Sequence, residues 1–161
     1  MTNDLRGPVR LAAVLTACAA VTASLAGCGG GDGYNLVRPP FSDSPACDTF
    51  TGAIPDRLGG YVLEKTDVAG AGAWGDGDVI VYCGMPEPEA GAECIDEGGV
   101  DWVAQTPADD RTAKMYATHG RDPGVQVRLH HETTDAASVL SALGPAVQKI
   151  EAGEPCAATG N

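Results

Sequence analysis

Apolar and polar positions change period along the chain, and the changes predict its elements. Cys47, Phe50, Ile54 and Leu58 recur at spacings of three and four, which draws one apolar stripe on a helix. Ser44 suits an N-cap and Pro45 a first helical residue, so a helix is expected over 46–58. Pro55 should shorten or kink it, and Gly59-Gly60 breaks the chain. Five strands are expected next, over 61–66, 79–83, 100–105, 112–118 and 125–131. In the fourth, Ala113, Met115 and Ala117 alternate against Lys114 and Tyr116. In the fifth, Val125, Val127 and Leu129 alternate against Gln126, Arg128 and His130. That period of two implies an antiparallel sheet with one face covered and one partly wet. A second helix is expected over 136–151, capped by Thr134 or Asp135. Val139, Leu140, Leu143, Val147 and Ile150 lie on one side of it, and Gly144-Pro145 should kink it. The expected fold class is α+β: a small antiparallel sheet of about five strands, with an N-terminal and a C-terminal helix packed on one face.

The first residues follow no such pattern. Arg6 and Arg10 precede an uncharged run of Leu, Ala, Val and Thr over 11–24. This fits the basic and apolar regions of an export signal and is short for a transmembrane helix of about 20 residues. The run ends in Leu25-Ala26-Gly27-Cys28, which matches a bacterial lipobox. In that chemistry the Cys28 thiol takes a diacylglyceryl group and a signal peptidase cuts before it. Two or more acyl chains hold a protein stably where a single chain is marginal. Residues 1–27 are therefore expected to be a lipoprotein signal peptide and residues 28–44 a flexible tether. Residues 45–161 are expected to form a single extracytoplasmic domain, anchored to the outer face of the cell membrane. Gly29-Gly30-Gly31 and Arg38-Pro39-Pro40 give the tether its flexible and extended parts.

The chain has 161 residues, 10 basic and 22 acidic, for a net charge of −12. Residues 1–27 hold Arg6, Arg10 and Asp4, so without them 8 basic and 21 acidic residues remain, a net −13. Such a surface repels phosphate backbones, and nucleic acid is not an expected partner.

Of six cysteines, Cys18 falls in the signal and Cys28 takes the lipid. Cys47, Cys83, Cys94 and Cys156 remain. An even set in an exported domain reads as two disulfides with three connectivities open. No pair has CxxC spacing and no His lies close in sequence, so neither a metal nor another cofactor is expected. His119, His130 and His131 read as surface residues. Ser42, Ser44, Ser138 and Ser141 offer no nucleophile elbow. Asp96-Glu97 and Asp109-Asp110 read as solvated loops. No catalytic residue is assigned.

Several segments occur together in a telling order. Cys47 through Ile54-Pro55 and Leu58 comes first, then Ala73-Trp74-Gly75-Asp76, then Tyr82-Cys83-Gly84-Met85-Pro86. Gly99-Val100-Asp101-Trp102 follows. Tyr116-Ala117-Thr118 comes next, with Gly120-Arg121, Pro123 and Val125. This set resembles the actinobacterial secreted and lipoprotein family known as domain of unknown function 3515, over most of residues 45–151. The resemblance implies a high-G+C Gram-positive source and location in the cell envelope, and it supplies no activity. It implies a Cys47–Cys83 pair, which makes Cys94–Cys156 an addition in this chain. Gly77-Asp78 stands where prolines are common in the family.

Trp102 lies within an expected strand, where it reads first as a core residue, and Trp74 lies in a glycine-rich loop over 70–77, the preferred contact surface. With Asp76, they form the candidate binding surface. The expected function is a lipid-anchored envelope lipoprotein acting as a non-catalytic binding or accessory module. Its expected partners are the membrane, through Cys28, and an envelope protein or cell-wall ligand. The alternative is an envelope-acting enzyme using acidic residues.

Overall fold

The computed structural model describes residues 34–89, 94–108, 110–130 and 134–156. The expected signal peptide and the Cys28 lipidation site lie outside the described residues, as do residues 29–33 of the expected tether, Asp109 and His131.

The structure is mostly sheet. Helix α1 (Pro45–Thr51) is followed by β1 (Arg57–Leu58), β2 (Tyr61–Glu64), β3 (Ala71–Trp74) and β4 (Val79–Met85). Then come β5 (Cys94–Asp96), β6 (Asp101–Gln105), β7 (Lys114–Thr118), β8 (Gly124–Leu129) and helix α2 (Ala136–Val147). The strands form one eight-stranded sheet in the order β1-β2-β3-β4-β8-β7-β6-β5, antiparallel throughout. Among the described residues, the expected five-stranded sheet with flanking helices is therefore corrected to eight strands and two short helices.

The three additional strands are short, and their partners define them. β1 and β2 are joined by Gly59-Gly60, both at positive φ. β5 and β6 are joined around Gly98-Gly99, also both positive, with the Glu97 amide donating to the Val100 carbonyl at 3.0 Å. Paired left-handed residues suit tight hairpins, because their twist matches that of the strands. β3 has the sequence Ala-Gly-Ala-Trp, poor in strand-forming residues, and all four are buried. It exists because β2 and β4 pair with it on both sides. Gly72 belongs there because a Cβ would stand 2.9 Å from the Trp74 ring.

The core lies on one face. Val79, Val81 and Cys83 of β4 meet Val125, Val127 and Leu129 of β8, Cys47 and Phe50 of α1, and Val139, Leu140, Leu143 and Val147 of α2. The register corrects β7. Tyr116 pairs with Val127 and packs against this core, whereas Met115 and Ala117 pair with Arg128 and Gln126 on the opposite face. Cross-strand partners share a face, so the Val-Val-Leu face of β8 decides how β7 turns.

Residues 34–44, read from sequence as the end of the tether, pack onto the sheet. Tyr34 and Leu36 lie against Ala71, Ile80 and Tyr82 on the second face. The Phe41 amide donates to the Gly84 carbonyl at 3.0 Å, and Ser42 is buried. Gly84, at φ 103°, sits at a register shift between Cys83 and Met85. Its backbone passes so close to Phe41 and Ser42 that a side chain there would collide with them.

Two helix expectations change as well. α1 ends at Thr51, and Leu58 is instead a buried residue of β1. α2 runs through Gly144-Pro145 to Val147. Pro145 cannot donate to the Ser141 carbonyl, which costs one helical bond. The β5–β6 turn packs at this point: a Cβ on Gly98 would lie 2.9 Å from that carbonyl oxygen.

Candidate functional site at the C-terminal tail

The two tryptophans do not form a surface. Trp74 and Trp102 are each 0% exposed. The Trp74 indole N–H donates to the Pro55 carbonyl and that of Trp102 to the Glu97 carbonyl, both at 3.1 Å. Each ring is thus buried with its polar edge satisfied, as a core tryptophan requires. Only Asp76 of the expected surface is exposed. It has φ 53° in the β3–β4 turn, and its amide donates to Glu64.

The cysteines pair as Cys47–Cys83 and Cys94–Cys156, with Cα atoms 5.5 and 6.3 Å apart. Cys47 and Cys83 are 1% and 0% exposed and join α1 to the middle of the sheet. Cys94 and Cys156 are only half-buried.

The second pair sits beside a cavity of about 350 Å³ at the outer end of β5, β6 and β7. Asp96, Asp101, His119, Arg121 and Glu154 contribute its charged and titratable lining. Strand geometry assembles it. Asp96 pairs with Asp101, and Cys94 pairs with Val103 two residues on, so Cys94, Asp96 and Asp101 share one face. Val103 pairs with Ala117, which places His119, two residues beyond, on that side as well. The tail closes the remaining side. Arg121 bridges to Ala152, the Gly153 amide donates to the Gly120 carbonyl at 2.7 Å, and the Arg121 guanidinium donates to the Ile150 carbonyl. The Cys156 amide donates to Asp101 Oδ2 at 2.9 Å.

One ligating atom each from Cys94, His119 and Cys156 lies within 4.8 Å of the others. His119 is held by its own amide, which donates to the Asp101 carbonyl at 2.8 Å, and its Nδ1 faces Glu87 Oε1 at 3.7 Å. Glu87 also accepts from the Gly120 amide at 2.8 Å. This gathering escaped the sequence reading. The three residues lie 25 to 62 positions apart in the chain, and no short motif could reveal it.

The remaining sequence candidates are spread out. His130 Nδ1 lies 3.5 Å from Asp110 Oδ2 at the far end of β8. Asp110 accepts from the Thr112 hydroxyl and amide, at 2.6 and 2.9 Å, and those bonds hold its carboxyl below the usual value. Ser141 donates to Glu97 Oε2 at 2.9 Å, which occupies that hydroxyl in docking the β5–β6 turn onto α2. A second cavity of similar size lies between α1 and the loop before β3, and its titratable lining groups are Asp48 and Asp67. No helix among the described residues is long and apolar enough to cross a membrane.

No curated protein and no solved structure matches the chain. The sequence matches a family described as proteins of unknown function, DUF3515, over residues 6–155. That span covers nearly the whole chain, from before the apolar run to the residue preceding Cys156, so the protein belongs to this family.

Proposed function

We propose that the protein is a lipid-anchored module on the outer face of the cell membrane, that it binds rather than catalyses, and that the tail cavity is its binding site. One observation supports this reading above the others: the Cys47–Cys83 disulfide lies at the centre of the core. A bond so placed has to form as the chain folds, and disulfides form and persist in oxidising compartments outside the cytoplasm. The lipobox ending in Cys28 supplies the anchor in this reading, and the net −13 of the chain beyond residue 27 leaves the acyl chains as the main membrane contact. The cavity suits recognition because it is concave and gathers groups of both charges from four separate segments.

Metabolic labelling with palmitate tests the anchor. Wild type should carry label and sediment with membranes, and Cys28→Ala should carry none. An unlabelled wild type would overturn the reading. Affinity capture from native membranes tests the site: a partner or wall fragment held by wild type should be lost from an Asp96→Asn, Glu154→Gln double variant.

A further inference from the structure

We propose that Cys94, His119 and Cys156 form a binding site for a thiophilic divalent metal ion of the zinc class, closed while the two cysteines are joined and opened when a dithiol reduces them. The proposal deepens the reading of the tail corner as a binding site and does not depend on the lipid anchor.

The two disulfides occupy opposite surroundings. Cys47–Cys83 is sealed in the apolar core, where a reductant has no access. Cys94–Cys156 is half-buried beside a polar cavity, with an imidazole nitrogen within 4.8 Å of both sulfurs. A purely structural staple has no need of that imidazole. Two thiolates and one imidazole are, however, a recognised zinc ligand set that leaves a fourth position for water or a ligand. His119 also lines the cavity, so that position is open to solvent.

The site is organised without the disulfide. The tail is held by the Arg121–Ala152 bridge, by Gly153 on Gly120 and by the Cys156 amide on Asp101. Cys94 is held by the β5–β6 ladder and His119 by its backbone bond to Asp101. Glu87, held by the Gly120 amide, sets a carboxylate beside the His119 ring, 3.7 Å from Nδ1. Asp96, Asp101 and Glu154 outnumber Arg121 around the cavity, so its lining is net acidic and favours a cation.

The chemistry balances. A dithiol gives two electrons and two protons to the Cys94–Cys156 bond; it leaves as a cyclic disulfide and the protein gains two thiols. The metal ion then binds both sulfurs, and the two thiol protons go to solvent.

The test uses the purified protein and cobalt(II) as the metal probe. Dithiothreitol is added and then removed without oxygen, and peptide mapping confirms that Cys47–Cys83 is intact. Reduced wild type should bind one cobalt ion with thiolate-to-metal absorption, displaced by zinc; untreated protein should show neither. Cys94→Ser with Cys156→Ser should abolish the absorption. His119→Ala, which keeps both thiols, should weaken binding about tenfold or more. Three results would each overturn the proposal: no cobalt binding by the selectively reduced protein, unchanged affinity in His119→Ala, or reduction of Cys94–Cys156 only together with Cys47–Cys83. Absence of palmitate label with cobalt binding intact would remove the anchor and leave the metal site standing.

Discussion

Gly98 and Gly144 meet backbone to backbone, with the Gly98 carbonyl lying where a Cβ on Gly144 would have to stand. This contact docks the β5–β6 turn onto α2. Trp102 on Glu97, Ser141 on Glu97 and Gln148 on Gly98 brace the same turn.

Gly144→Ala should therefore destabilise the protein although it adds a better helix former. Helix propensity favours alanine by about 1 kcal/mol. Overpacking against a fixed backbone costs about 1–3 kcal/mol. The difference leaves a net loss of up to about 2 kcal/mol, read in urea unfolding. An unchanged or raised midpoint would show that the turn yields freely.

Burial of both tryptophans predicts their fluorescence. Emission should be blue-shifted and resist iodide quenching until the protein unfolds. Quenching of the native state close to that of free indole would restore Trp74 or Trp102 as a surface residue.

Removing the core disulfide with Cys47→Ala and Cys83→Ala should cost roughly 2–5 kcal/mol. The bond closes a loop of 36 residues, which limits the unfolded chain. Thermal unfolding of the double variant reads the loss directly.

Tyr82 sets an alkaline limit. Its burial pushes the phenol above its usual 10.0, more than the Val37 backbone and the Arg128 charge draw it down. A folded pKa above the unfolded one makes this contribution complete below pH 10 and lost as pH rises through the folded value. The urea midpoint should fall across that range in wild type and fall less in Tyr82→Phe. Identical profiles would mean that the phenol ionises freely in place.

The chain's own sequence determined several local features. The Ser44 oxygen accepts at the start of α1. The Val125, Val127 and Leu129 stripe faces the core. The ordered residues from Cys47 to Val125 carried the family. Each of these is set by a residue acting on near neighbours or by the strict period of a strand. Tertiary structure decided the rest. β1, β3 and β5 have two, four and three residues and no apolar alternation of their own, so only their neighbours' hydrogen bonds make them strands. Tyr116 turns inward because β8 fixes the face it shares. Residues 34–44 read as a spacer by composition, yet the second sheet face gives Tyr34 and Leu36 somewhere to pack. Cys94, His119 and Cys156 meet only because strand register and the returning tail bring distant residues to one corner. Such convergence is a property of the pairing between strands, and a linear pattern does not contain it.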